Sequence, residues 1–128
     1  ETNGMEFKGY ISAENLNNKL PYYNYSLIYW LPINEPCHYA CPNKLFQAIA
    51  SNVPVIASPN PQCVEIIERY NCGLIIDDWS VDSLVKTLEY ADSIIHTKKY
   101  TNMTKGCEEA YSELNWDNQF DRLKRFLK

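Results

Sequence analysis

The sequence predicts an α/β protein whose helices cover a parallel β-sheet. Short apolar runs typical of buried strands recur along the chain, and stretches long enough for a helix separate them. Strands joined through helices run parallel, because a parallel crossover needs a dozen or more residues. The chain of 128 residues is close to the usual size of one domain, so we predict a single domain over residues 1–128.

The first part of the chain is expected to hold two strands and one helix. Residues 6–8 predict a short edge strand, and the apolar residues within 25–31 predict a buried strand. Between them, Ser12 precedes a helix predicted over residues 13–20. Its hydroxyl oxygen can accept a hydrogen bond from a free N–H of the first turn, which is the usual role of an N-cap serine.

Residues 41–58 combine a loop, a helix and a buried strand. Pro42 suits the first helical turn, because its missing N–H costs nothing there and its φ is already helical. Apolar side chains then recur at helical spacing, at Leu45, Ala48 and Ile49. Asn52 follows the last turn, where a left-handed residue is wanted, and an apolar strand is predicted over residues 53–57.

The second half of the chain continues the alternation. Asn60 is the expected N-cap of a helix that ends at Tyr70, and Gly73 is expected to let the chain turn into a strand over residues 74–76. Ser80 then begins a helix with one apolar stripe. The stripe consists of Val81, Leu84, Val85, Leu88, Ala91 and Ile95. Two further helices are predicted from Tyr100, Met103, Cys107 and Tyr111, and from Trp116, Phe120, Leu123 and Leu127.

Composition and charge exclude several classes of function. A net charge of −4 argues against nucleic acid as a partner, because phosphate binding needs a basic face. No apolar run approaches the roughly 20 residues that a membrane span requires, and residues 1–8 lack the form of a signal peptide. We therefore expect a soluble protein in the cytoplasm.

Five cysteines, at positions 37, 41, 63, 72 and 107, allow two interpretations. Cys37-His38-x-x-Cys41 suggests a zinc site, but a structural site pairs two tight ligand couples, and Cys63 and Cys72 do not form one. Reduced and mostly buried thiols are the preferred interpretation. We therefore expect no metal and no cofactor.

The loop and helix within residues 41–58 also predict a ligand site. Free N–H groups at the start of such a helix attract anions, and ligands of open parallel sheets bind beyond the strand ends. Residues 42–46 (Pro-Asn-Lys-Leu-Phe) and 54–58 (Pro-Val-Ile-Ala-Ser) resemble the signature of the retaining glycosyltransferases of group 1, which are family 4-like enzymes with two Rossmann domains (GT-B type). The same family order is followed by Phe7-x-Gly9, Glu65-Ile66-Ile67, Gly73-Leu74-Ile75-Ile76 and Asn115-Trp116.

This resemblance implies a Rossmann-like parallel sheet and the C-terminal part of the family's nucleotide-sugar-binding domain. The reaction it implies is transfer of a sugar from a nucleoside diphosphate sugar to a polysaccharide or glycolipid acceptor. The amides at residues 41–44 would then neutralise the diphosphate leaving group. The nucleotide-sugar-binding residues that the resemblance implies are Tyr39, Cys41, Pro42, Asn43, Lys44 and Gln47. It identifies no catalytic residue.

Two of these residues replace glutamates of the family pattern. Gln47 stands where a glutamate accepts hydrogen bonds from ribose, and its amide oxygen can still accept one, without the charge. The difference is worth about 1 kcal/mol, or roughly a fivefold weaker affinity. Tyr39 stands where the other glutamate contacts the transferred sugar, and a phenol cannot supply an anionic acceptor.

The resemblance also implies segments that precede this sequence in a full enzyme. These are an acceptor domain and two strand–helix units that carry an arginine and a lysine for the diphosphate. We therefore expect a piece of a longer enzyme or a truncated gene product, inactive without the N-terminal acceptor domain as its partner. Peripheral membrane association of the full enzyme stays open. The alternative is a truncated, non-catalytic paralogue that acts as a binding or regulatory module.

Overall fold

The structure, a computed structural model, describes residues 4–127, which contain three β-strands and seven α-helices. In chain order these are α1 (Ala13–Lys19), β1 (Ser26–Ile28), α2 (Glu35–His38), α3 (Asn43–Ala50), β2 (Val55–Ala57), α4 (Pro61–Tyr70), β3 (Gly73–Ile75), α5 (Val81–Ser93), α6 (Lys98–Leu114) and α7 (Trp116–Phe126). A 3₁₀ turn over Leu20–Tyr22 follows α1. Within the described residues, no helix combines the length and apolar character needed to cross a membrane.

The three strands form one parallel sheet in the order β1-β2-β3. Val55 pairs with Ser26 on one side and with Gly73 on the other. All three residues of β2 are buried, as expected for the central strand of a sheet that is covered on both faces. The predicted α/β class, with a parallel sheet and covering helices, is confirmed.

Two apolar clusters lie on opposite faces of this sheet. The larger cluster joins the sheet to α3, α4 and α6, and its members include Ile28, Leu45, Ile49, Val55, Ile67 and Cys107. The smaller cluster joins the sheet to α5 through Ile56, Ile76 and Ala91. The two predicted C-terminal helices are present: α6 packs on α3 and α4, and α7 packs on α6.

The local signals at the helix ends are confirmed in three places. The hydroxyl oxygen of Ser12 accepts a hydrogen bond from the Asn15 N–H at 3.3 Å. Ser80 caps α5 in the same way, through a hydrogen bond of 3.1 Å from the Ser83 N–H. Asn52 has a φ of 57°, the left-handed conformation expected after the end of α3.

Two predicted strands differ from the structure. Residues 6–8 do not form a strand, because no neighbouring strand among the described residues pairs with them, and Phe7 is 95% exposed. The strand predicted over 25–31 is limited to β1. Its ladder ends where the Ser58 N–H donates to the Ile28 carbonyl oxygen, after which the chain leaves the sheet. Leu27 is 45% exposed, so β1 is only partly buried.

The prediction that Gly73 turns the chain into the third strand is wrong. The turn is made by Asn71, which has a φ of 53°, and Gly73 is already the first residue of β3. Gly73 is required for a different reason. A Cβ at this position would lie 2.2 Å from the carbonyl oxygen of Val55 on the neighbouring strand.

Smaller differences concern other element boundaries. Pro42 is the N-cap of α3 rather than a residue of its first turn, because its ψ of 149° is extended. The second strand begins at Val55, two residues later than predicted. Along the predicted apolar stripe of α5, Ala91 is buried and Leu84 packs on the smaller cluster, whereas Val81, Val85 and Leu88 are exposed.

Candidate functional site

A cleft of about 640 Å³ lies beside the start of α3, at the carboxyl end of β1. Its lining residues come from the segment that follows β1 and from the first turns of α3. They are Tyr29, Trp30, Leu31, Ile33, Cys37, Pro42, Asn43, Lys44 and Gln47. This is the edge at which open parallel sheets bind their ligands, because loops leave the strands there and helices begin.

The polar end of the cleft is the start of α3. Pro42 has no N–H and makes no side-chain cap, and the Leu45 N–H is the first to return to the Pro42 carbonyl oxygen, at 3.0 Å. The N–H groups of Asn43 and Lys44 belong to the part of a helix that has no intrahelical acceptor. Lys44 adds a positive charge on the same lining. This end of the cleft can therefore accept an anion.

Two buried polar side chains hold the segment after β1 against the sheet. The Ser58 hydroxyl accepts a hydrogen bond of 2.9 Å from the Trp30 N–H. The Asn60 side-chain amide donates to the carbonyl oxygens of Cys37 at 3.0 Å and His38 at 3.1 Å. Asn60 is the N-cap of α4, as predicted, but its side chain does not cap that helix. It stabilises the loop that leads to the cleft.

A second connection comes from the loop after β3. The indole N–H of Trp79 donates to the carbonyl oxygen of Trp30 at 2.7 Å. The Tyr29 hydroxyl donates to the carbonyl oxygen of Trp79. Each loop donates one of these two bonds. The side chain of Tyr29 and the backbone of Trp30 are therefore both attached to the loop after β3.

The structure brings together four of the six residues expected to bind the nucleotide sugar. Pro42, Asn43, Lys44 and Gln47 line the cleft, whereas Tyr39 and Cys41 do not. Tyr39 is 57% exposed and its ring packs edge-on against His38, with 4.8 Å between the ring centres. Cys41 packs against the larger core cluster, and burial raises the pKa of its thiol.

Gln47 also lines a second cleft on the other side of α3. This cleft has a volume of about 680 Å³ and lies between α1, α3 and the junction of α6 with α7. Asn43 belongs to both clefts as well. Asn43 and Gln47 therefore lie between the two clefts.

The cysteines do not form a metal site in the described part of the chain. No group of three or more His, Cys, Asp or Glu side chains converges there in a way that could hold a metal ion. Cys63, Cys72 and Cys107 are buried free thiols, and Cys37 and Cys41 are partly buried.

Sequence reasoning missed the aromatic end of the cleft. Tyr29 and Trp30 were expected inside a buried strand, but the chain has left the sheet at these residues and Trp30 is 42% exposed. One signal was available in the sequence: Trp30 lies near the end of an apolar run. Ligands of parallel sheets bind at the carboxyl ends of the strands, so a residue at that position can face a ligand. The partners Ser58 and Asn60 carried no such signal, because their contacts are long-range.

Comparison with models of known protein families shows which family this chain is related to. The family model described as "Glycosyl transferases group 1" matches residues 1–91. The chain belongs to the group 1 glycosyl transferases. The matched range contains β1, β2, β3, α3 and every residue that lines the 640 Å³ cleft. The chain has no match among curated proteins. It also has no match among solved structures.

The Rossmann-like α/β fold agrees with this family, and glycosyl transfer is the general function that the family supports. Helices α6 and α7 lie beyond the matched range, although α6 packs on α3 directly behind the site.

Proposed function

We propose that this chain is the donor-binding part of a retaining glycosyltransferase with two Rossmann domains. In the full-length enzyme, it would bind a nucleoside diphosphate sugar while the sugar is transferred to a hydroxyl group of a polysaccharide or glycolipid. The observation that carries this proposal is the start of α3, where free N–H groups and Lys44 line a cleft at the carboxyl ends of parallel strands.

The proposed chemistry is electrostatic. Departure of the sugar leaves negative charge on the diphosphate, and donors that are already oriented toward that charge stabilise the transition state. The backbone N–H groups of Asn43 and Lys44 and the ammonium group of Lys44 are the proposed donors. The side-chain oxygen of Gln47 would accept a hydrogen bond from a ribose hydroxyl. The proposed mechanism uses no nucleophile from this chain.

The experiment that tests the proposal is an NMR titration of the protein with uridine diphosphate or guanosine diphosphate. We expect saturable shifts of the amide signals of Cys41, Asn43 and Lys44, with millimolar affinity. Lys44→Gln should weaken this binding, whereas the matched control Lys105→Gln, at an exposed position of α6, should leave it unchanged. Shifts confined to other segments would overturn the site assignment.

A second candidate is a non-catalytic binding or regulatory module. The position of Tyr39 favours it, because this residue lies outside the cleft and a family glutamate is replaced there. A native reading frame that extends upstream by a domain-sized segment would favour the enzyme, and one that starts near Glu1 would favour the module. Cytoplasmic location and peripheral membrane association of the full enzyme stay predictions.

A further inference from the structure

We infer that Trp30 is the platform on which the nucleobase of the donor stacks. This inference rests on the proposed function and extends it to the part of the ligand that the start of α3 does not bind. Three features carry it: the fixed backbone of Trp30, its free indole ring, and the chemical difference between the two ends of the cleft.

The backbone of Trp30 is held by side chains from the loops after the two other strands. Its N–H donates to the Ser58 hydroxyl at 2.9 Å. Its carbonyl oxygen accepts from Trp79 Nε1 at 2.7 Å and from Asn60 Nδ2 at 3.3 Å. Because every one of these bonds uses a backbone atom of Trp30, the side chain can be changed without removing any of them.

The indole ring of Trp30 is not used by the fold in the same way. It lines the cleft and the residue is 42% exposed. Within residues 4–127 this ring stacks on no other aromatic ring. By contrast, Trp79 lies beside His38, and Trp116 stacks on Phe120. A large, partly exposed aromatic ring on a fixed backbone is pre-organised for a flat ligand, because no further ordering of the loop is needed.

The two ends of the cleft match the two ends of a nucleoside diphosphate. Lys44 and the start of α3 suit the phosphates, whereas Trp30, Leu31 and Ile33 form an apolar wall. Every nucleobase has a π-face that stacks on an aromatic side chain. A volume of about 640 Å³ lies within the range of small-molecule sites. The base is therefore the part of the donor that the Trp30 end accommodates.

The test compares four probes: uridine diphosphate, uridine, inorganic pyrophosphate and methyl glucoside. Titrations of the full chain are followed through the indole N–H signals in a ¹H–¹⁵N spectrum, in which the Trp30 signal is identified by its loss in Trp30→Phe. We expect uridine and uridine diphosphate to move this signal, and pyrophosphate to move only the amide signals of Cys41, Asn43 and Lys44.

Substitutions give the quantitative readout. Trp30→Ala should raise the Kd for uridine diphosphate about tenfold and leave the Kd for pyrophosphate unchanged, and Trp30→Phe should restore most of the affinity. Trp116→Ala is the matched control, because Trp116 is 73% exposed and does not line this cleft. It should change neither Kd.

Each other outcome has a definite meaning. Unchanged binding of uridine diphosphate to Trp30→Ala, or an equal loss for pyrophosphate, would overturn the platform. A shift of the Trp30 signal with methyl glucoside rather than uridine would assign the ring to the sugar and also overturn it. If uridine moves the Trp30 signal while pyrophosphate moves no amide at residues 41–44, the proposed function fails and the platform stands. If none of the probes binds, both are wrong.

Discussion

The hydroxyl group of Ser58 donates a hydrogen bond of 2.6 Å to Oδ1 of Asn60 in the interior of the protein. Both residues are at most 1% exposed. Because Oδ1 is occupied by this bond, the amide of Asn60 is oriented with Nδ2 toward the carbonyl oxygens of the loop after β1. One serine–asparagine contact therefore determines how the wall of the candidate site is attached to the sheet.

Removal of this amide should destabilise the fold. Asn60→Ala removes the acceptor of the short bond from the Ser58 hydroxyl and the side-chain donor to the carbonyl oxygens of Cys37 and His38, which should cost about 2 to 3 kcal/mol of unfolding free energy. Urea denaturation measures this difference. Asn102→Ala, at an exposed position of α6, is the control and should stay within about 0.5 kcal/mol. A loss below about 1 kcal/mol for Asn60→Ala would contradict the role of the network.

Gly106 should not tolerate alanine although it lies inside a helix. Replacing glycine by alanine in a helix normally stabilises it by about 1 kcal/mol. Here the added Cβ would lie 2.2 Å from the carbonyl oxygen of Tyr70 and 2.6 Å from that of Asn71, where α4 ends. We expect Gly106→Ala to lower the unfolding free energy by about 3 kcal/mol. A thermal melt of this variant with a raised Tm would show that α6 does not pack this closely on α4.

Stability should decrease at high pH because of the buried thiols. Burial raises the pKa of Cys63 and of Cys107 to about 12, from an ordinary value of 9.0. The unfolded thiols ionise above pH 9 while the folded ones stay protonated. The stabilisation that comes from keeping these thiols protonated is therefore complete below about pH 9. It is lost as the pH rises toward 12, by about 1.4 kcal/mol of unfolding free energy per pH unit for each thiol.

The measurement for the thiols is the unfolding free energy of the reduced protein between pH 8 and pH 11. Cys107→Ala should flatten the decrease, because one buried ionisable group is gone. Met103→Ala removes a buried side chain of the same helix that cannot ionise, and it should keep the wild-type slope. If the unfolding free energies of the wild type and of Cys107→Ala decreased equally with pH, the Cys107 thiol would not contribute to the pH dependence of stability.

Gln47→Glu should tighten nucleotide binding by a few fold. A carboxylate accepts a charge-assisted hydrogen bond from a ribose hydroxyl, which is stronger than the neutral bond from an amide. Calorimetric titration with uridine diphosphate at constant ionic strength measures the change. Gln62→Glu adds the same charge at an exposed position of α4 and serves as the control. Unchanged or weaker binding by Gln47→Glu would indicate a surface role for this residue.

The isolated chain should bind donor without turning it over. Transfer between two substrates requires both to be held in register, and this positioning contributes about 7 to 11 kcal/mol to lowering the barrier. Under the proposed function this chain supplies the donor side of the site, and the N-terminal domain of the full enzyme supplies the acceptor side. We expect no release of nucleoside diphosphate from a nucleoside diphosphate sugar above background. Multiple turnovers by the purified chain would require a complete active site within these residues.

The amino-acid sequence by itself determined the features that depend on neighbouring residues. The caps at Ser12 and Ser80 and the left-handed turn at Asn52 follow from interactions within one or two turns of chain. The alternation of apolar runs with helix-length stretches determined the α/β class in the same way. The motif at residues 42–46 determined where the polar end of the candidate site lies, because a helix start exposes its own N–H groups.

The tertiary structure decided the features that depend on residues far apart in the chain. Residues 6–8 needed a partner strand, and Gly73 was required by the approach of Val55 on the next strand rather than by its own backbone. Trp30 lines the cleft because the side chains of Ser58, Asn60 and Trp79 bind its backbone N–H and carbonyl groups, in place of a neighbouring strand. Such contacts join positions separated by 28 to 49 residues, and no local pattern encodes them.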